Sequence, residues 1–229
     1  MKVRALQTSI FSLAFTALLI LPLQVHADVI VVQPLEPAFE GEFSNLGPSN
    51  QQVADDFQFS QPTTIQSVSW FGRYGEPLSV TNPVSFSIRF FANAGMSPEV
   101  LPLQELNVAV DAVPTGLAFN GSPWFEYSTN LVPLTLNPGA YWLSVLETDP
   151  QTPTFGNSQW LWGDSGTTGV RAFRNSDSMA WTSSLDVNHA FTLTGTIIPE
   201  PSTMLLLGSG LIGLAAWRWR KTKHQTDAK

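Results

Sequence analysis

Between residues 28 and 198 the apolar side chains recur at every second position in short stretches, the period of a half-buried β-strand. Val84, Phe86, Ile88 and Phe90 share one face, with Ser85, Ser87 and Arg89 on the other. Leu106, Val108 and Val110 alternate with Asn107, Ala109 and Asp111, and Phe191, Leu193 and Ile197 with Thr192, Thr194 and Thr196. The pattern predicts further strands at 53–59, 64–71, 123–129, 140–147, 158–163 and 169–174. Pro138-Gly139 marks a turn between the apolar positions Leu134, Leu136 and Tyr141, Leu143, Val145. No stretch of this region has the 3.6-residue period of an amphipathic helix. The segment 28–50, rich in Pro, Glu and Asn, reads as an arm or long loop. About ten short strands at this spacing predict an all-β domain over 28–198, an antiparallel sandwich of jelly-roll type.

Both ends break the alternation. Lys2 and Arg4 precede an apolar run from Ile10 to Leu23, and Val25-His26-Ala27 places small residues where signal peptidase inspects them. Residues 1–27 therefore read as a secretory signal peptide cut between Ala27 and Asp28, with an uncleaved N-terminal anchor as the competing reading. Its partners are the Sec machinery and signal peptidase.

At the other end Ile198-Pro199-Glu200-Pro201 leads into an apolar segment, Thr203 to Trp219, and then a basic cluster. The two prolines prevent regular pairing and keep the stretch extended. Seventeen residues make a helix of about 25 Å, a marginal match to a bilayer core of about 30 Å. Trp217 and Trp219 suit the interface, and Arg218, Arg220, Lys221 and Lys223 form a stop on the cytoplasmic side. Within the helix Ser209 and Gly213 form a small-xxx-small pair able to pack against another helix. Residues 224–229 form a polar cytoplasmic end.

Proline-glutamate-proline, a short glycine-rich apolar helix and a basic cluster, in that order, resemble the PEP-CTERM family of sorting tails. Two departures are Trp219 inside the basic cluster and the extension Thr222 to Lys229. The resemblance covers Ile198 to Lys223. It implies recognition by an exosortase, a transpeptidase-like enzyme of the inner membrane in Gram-negative bacteria that make extracellular polysaccharide. Processing near Pro199, Glu200 and Pro201 would then release the domain or transfer it to a surface component. A single-pass anchor that is never processed is the bland reading of the same residues.

Charge narrows the partners. Residues 28–198 hold 16 carboxylates, four arginines and no lysine, a formal charge of −12. Nothing there would neutralise phosphates, so nucleic acid is excluded. The chain has no cysteine, hence no disulfide, thiol nucleophile or thiolate metal site. No metal or cofactor is expected, since no loop carries calcium-ligand spacing. Asp55-Asp56 face opposite sides of a strand and read as solvated carboxylates. His189 is the one histidine of the region, and no nucleophile motif accompanies it.

The remaining chemistry is aromatic. Six tryptophans lie between 28 and 198, and Trp160 and Trp162 project from the same face of a strand. Flanked by Gln159, Gly163 and Asp164, they read as a candidate platform for stacking on sugar rings; filling the core is the alternative. The expectation is a non-catalytic surface or extracellular-matrix protein that binds polysaccharide. A structural or adhesive protein with protein–protein contacts only, and a secreted hydrolase without a recognisable motif, are the alternatives.

Overall fold

The computed structural model describes residues 27–45, 51–76, 80, 82–148, 159–199, 207–215 and 218. Residues 1–26 of the expected signal peptide lie outside it, as do Glu200, Pro201, Trp217, Trp219, Arg220, Lys221, Lys223 and 224–229.

In chain order the strands are β1 (Asp28–Gln33), β2 (Glu42–Phe43), β3 (Gln52–Phe59), β4 (Thr63–Tyr74), β5 (Val84–Ala92), β6 (Gln104–Val110) and β7 (Val113–Phe119). They continue as β8 (Ser122–Leu136), β9 (Gly139–Glu147), β10 (Trp160–Trp162), β11 (Asp164–Arg174), β12 (Thr182–His189) and β13 (Phe191–Ile197). All strand pairs are antiparallel. One sheet runs β12-β11-β3-β9-β5-β6. The other, of seven strands, is built on β4. The coarser part of the expectation holds, an all-β domain of two antiparallel sheets packed face to face.

β4 organises its sheet because it is long enough for three partners. One edge takes β8 from Thr63 to Gly72. The opposite edge takes β13 as far as Trp70, and then β10 at Gly72 to Tyr74. β1 adds to β13, β2 to β10, and β7 to β8.

The core is the seam between the sheets. Phe86 of β5 meets Trp70 and Tyr127 of the facing sheet with ring centroids 5.1 and 4.8 Å apart. Phe57 of β3 meets Phe191 of β13 edge-on. The period-two faces read from sequence supply these contacts, for Val84, Phe86, Ile88 and Phe90 are all buried. A second, smaller cluster lies on the other face of the six-stranded sheet, where Phe91 and Trp142 pack with Trp181. There the Arg174 guanidinium sits 4.3 Å from the Trp181 ring centroid.

One expectation changes. The 28–50 segment is not merely an arm, since β1 and β2 pair within the sheet. Its backbone groups find partners on β13 and β10 that no local pattern could reveal. The strand–turn–strand expected around Pro138-Gly139 is present, and because β8 and β9 belong to different sheets the turn carries the chain across the sandwich.

Residues 207–215 are helical, inside the apolar run. Among the described residues no helix is long and apolar enough to cross a membrane.

Candidate functional site

Both chain ends leave the sandwich side by side. The register sets Asp28 of β1 opposite Gly195 of β13, and Ile197 opposite Thr63 of β4. The Ile198 N–H donates to the Pro62 carbonyl at 2.7 Å, so pairing persists to the residue before the Pro-Glu-Pro segment. Pro199 has no N–H to continue it and is exposed. Ala27, the residue before the expected signal cleavage, is exposed one position ahead of β1. Gly195 is required at this junction: a Cβ there would lie 2.0 Å from the Thr64 carbonyl oxygen. Arg218 is exposed.

Trp160 and Trp162 do not form a platform. Both are 0% exposed. The Trp160 ring meets Phe86 edge-on at 5.1 Å. Trp162 stacks on the His189 ring at 4.7 Å, and its indole N–H donates to the Ala190 carbonyl at 3.0 Å. The shared face inferred from their spacing is real, but it is the inner one. Their polar flanks misled, because Gln159 and Asp164 are themselves buried.

His189 is equally sealed, at 0% exposure. Its Nδ1 lies 3.3 Å from an Asp164 carboxylate oxygen, and neither ring nitrogen has an aligned hydrogen-bond partner. The other Asp164 oxygen accepts from the Gly41 N–H at 3.1 Å. Asp55, fully buried nearby, accepts from the main-chain N–H groups of His189 and Asp56. Burial raises the Asp55 carboxyl well above the usual carboxylate range, and the charge of Asp56 adds to this against those two N–H bonds. Asp56 is raised too, chiefly by burial. Asp55 and Asp56 are therefore not the solvated pair expected from sequence. A general base must reach a hydroxyl or water it deprotonates, and no hydroxyl is hydrogen-bonded to the imidazole. Among the described residues no group of three metal-ligating side chains occurs.

The outer face of the β4 sheet carries a feature that the single sequence could not assemble. Three cross-strand rows run across β13, β4 and β8: Thr196–Thr64–Thr135, Thr194–Ser67–Asn130 and Thr192–Ser69–Ser128. Strands lie about 4.8 Å apart and same-face residues roughly 6.7 Å apart along each strand. The rows thus make a neutral grid of hydroxyl and amide groups. Thr64 and Thr135 share a hydrogen bond of 2.8 Å, and the hydroxyls of Ser67 and Thr194 are also bonded. Ser128, Asn130 and Thr135 are exposed. The alternation of Thr192, Thr194 and Thr196 was visible in sequence, but the register with β4 and β8 was not.

The junction geometry and the comparison with known families meet at one point. Residues 198–221 match the PEP-CTERM protein-sorting motif. The match begins at Ile198, the last residue whose N–H is held by the sandwich. A tail of this kind implies sorting by an exosortase, with export and transient anchoring in the membrane through the tail. No curated protein matches the chain.

Proposed function

We propose that this PEP-CTERM protein is a non-catalytic component of a polysaccharide-containing extracellular matrix, and that its sandwich associates with neutral polysaccharide. The observation that carries the reading is the hydroxyl and amide grid on the outer face of β13, β4 and β8. Such groups donate to and accept from sugar hydroxyls without desolvating a charge. A domain charge of −12 disfavours polyanionic glycans by like-charge repulsion. Export uses the general secretory route, with signal peptidase cutting after Ala27. The host on this reading is a Gram-negative bacterium, and the processed protein resides at the cell surface or in the matrix. The sealed imidazole of His189, with no hydroxyl hydrogen-bonded to it, supports the non-catalytic half of the proposal.

The test is retention of the full chain, in detergent micelles, on arrays of neutral and acidic glycans. Retention on neutral glycans that is lost on combining Ser128→Ala, Asn130→Ala and Thr135→Ala, with the far-ultraviolet spectrum unchanged, is the expected result. Absence of retention on every glycan overturns the polysaccharide reading. It would favour protein–protein contacts, for which exposed Leu101 and Leu185 are available. Turnover of an ester or glycoside by the chain, lost in His189→Gln, would overturn the non-catalytic reading.

A further inference from the structure

We infer that the sandwich stands on the bilayer by one defined end, with its carboxylate-rich end pointing away from the lipid; this rests on the tail's role as a transient membrane anchor. Three observations converge on the end from which both termini leave.

The first is reach. The last residue fixed to the sandwich is Ile198, and the apolar run begins at Thr203. A chain spans at most about 3.5 Å per residue, so the five steps between them hold the domain within roughly 18 Å of the anchor. That is shorter than the sandwich itself, since the 12 residues of β4 extend about 40 Å.

The second is charge. The segments 27–29, 60–64, 134–140 and 194–198 at the exit contain a single ionisable side chain, Asp28, and the loop after β5 adds Glu99 on the other sheet. Around the far end of β4 lie Glu40, Glu42, Glu76, Asp111 and Glu126. Glu42 pairs with Trp162, itself opposite Gly72, and Glu126 lies opposite Phe71. Arg73 and Arg171 approach Glu40 and Glu42 at 3.6 and 3.2 Å, and the end remains acidic. An anionic lipid surface repels carboxylates that come within a Debye length of about 8 Å at physiological salt. The exit end can rest on such a surface, whereas the far end cannot.

The third is apolar exposure at the exit. Val29, Ile197 and Ile198 are 60%, 54% and 40% exposed. Interfacial contact removes part of that surface from water. The occupant of this end is therefore a phospholipid headgroup layer containing anionic lipid.

The chain lacks cysteine, so single reporters are placed without background. The full-length chain is reconstituted into vesicles of phosphatidylethanolamine and phosphatidylglycerol as Ser60→Cys, Asn137→Cys, Asp111→Cys or Ala118→Cys. Each is labelled with a fluorophore and challenged with headgroup-spin-labelled lipid. All four positions are exposed. Quenching at Ser60 and Asn137 several-fold stronger than at Asp111 and Ala118 is expected. Two added carboxylates, Thr64→Glu with Thr135→Glu, should weaken quenching at Asn137 at low salt and restore it at high salt. Equal or reversed quenching in chains that float with the vesicles overturns the orientation and leaves the anchor standing. So does no quenching at any position. Chains that fail to float overturn the anchor, and the orientation with it.

Discussion

Gly72 tests whether Trp160 is fixed as the core contacts imply. Its backbone needs no left-handed conformation, so the constraint on this residue is steric. A Cβ at this position would meet Cζ2, Cε2 and Nε1 of Trp160 at 2.2, 2.3 and 2.5 Å. Carbon atoms in contact sit about 3.5–4.0 Å apart, so the indole must move by more than an ångström. It has nowhere to go, being fully buried against Phe86 and Tyr127. Overpacking of this kind costs about 1–3 kcal/mol. The lost backbone freedom of the unfolded chain returns about 0.5 kcal/mol. Gly72→Ala should therefore lose about 2 kcal/mol, or roughly 4–8 °C in Tm for a domain of this size. Trp160→Leu removes the offending atoms at the cost of a cavity. Gly72→Ala with Trp160→Leu should then be less destabilised than the sum of the singles by about 1–3 kcal/mol. Urea denaturation of all four proteins, followed by far-ultraviolet circular dichroism, gives the cycle. Additivity within about 0.5 kcal/mol would refute the packing described for this corner of the core.

Other consequences are open to measurement. Trp160→Ala or Trp162→Ala should each cost about 3–5 kcal/mol of stability while leaving glycan retention by the folded fraction unchanged; a stable variant with lost retention would restore the platform. Asp55 has a folded-state carboxyl raised above its unfolded value, so its contribution is full below the unfolded value and lost as pH rises through the raised one. Asp55→Asn should flatten the fall in denaturation midpoint on the alkaline side of the ordinary carboxylate range. Some slope will persist because Asp56 is also raised, and an unchanged profile would exclude Asp55 as its source. Pro199→Ala with Pro201→Ala should leave membrane-bound precursor still ending in Lys229, read by mass spectrometry; normal processing would detach the Pro-Glu-Pro segment from that step.

Much of the sandwich was legible because its inner faces obey a period of two. Val84 to Phe90 and Phe191 to Leu193 announce both their strands and their buried sides. What escaped the pattern lies chiefly at edges. β12 is polar along most of its length and pairs only with β11. β7 contains Pro114 and Gly116, the latter with φ of 80°, and its only strand partner is β8. β1 is four consecutive β-branched residues without alternation, close to Pro34 and Pro37. In each case the partner strand decides, and partner identity is not a local property. The tryptophan pair shows the converse error. Polar neighbours suggest solvent, yet Gln159 and Asp164 are buried because β2 and the 34–41 segment cover β10 and its flanks. The hydroxyl grid was hidden for a further reason: it exists only in the register of three strands, β4, β8 and β13, that lie far apart in the chain.

That β13 sits between β1 and β4 ties the completion of folding to the end of secretion. On the secretory route proposed above, a chain emerging N-terminus first delivers β1 at the outset, but its neighbour arrives last. Until then the long edge of β4 and the inner edge of β1 stay unsatisfied, and Phe191 and Leu193 are missing from the core. The sorting segment follows immediately, so the sandwich closes only as the anchor reaches the bilayer. On that route export, closure and presentation to the sorting enzyme follow one order, and a half-made molecule has no finished domain to release.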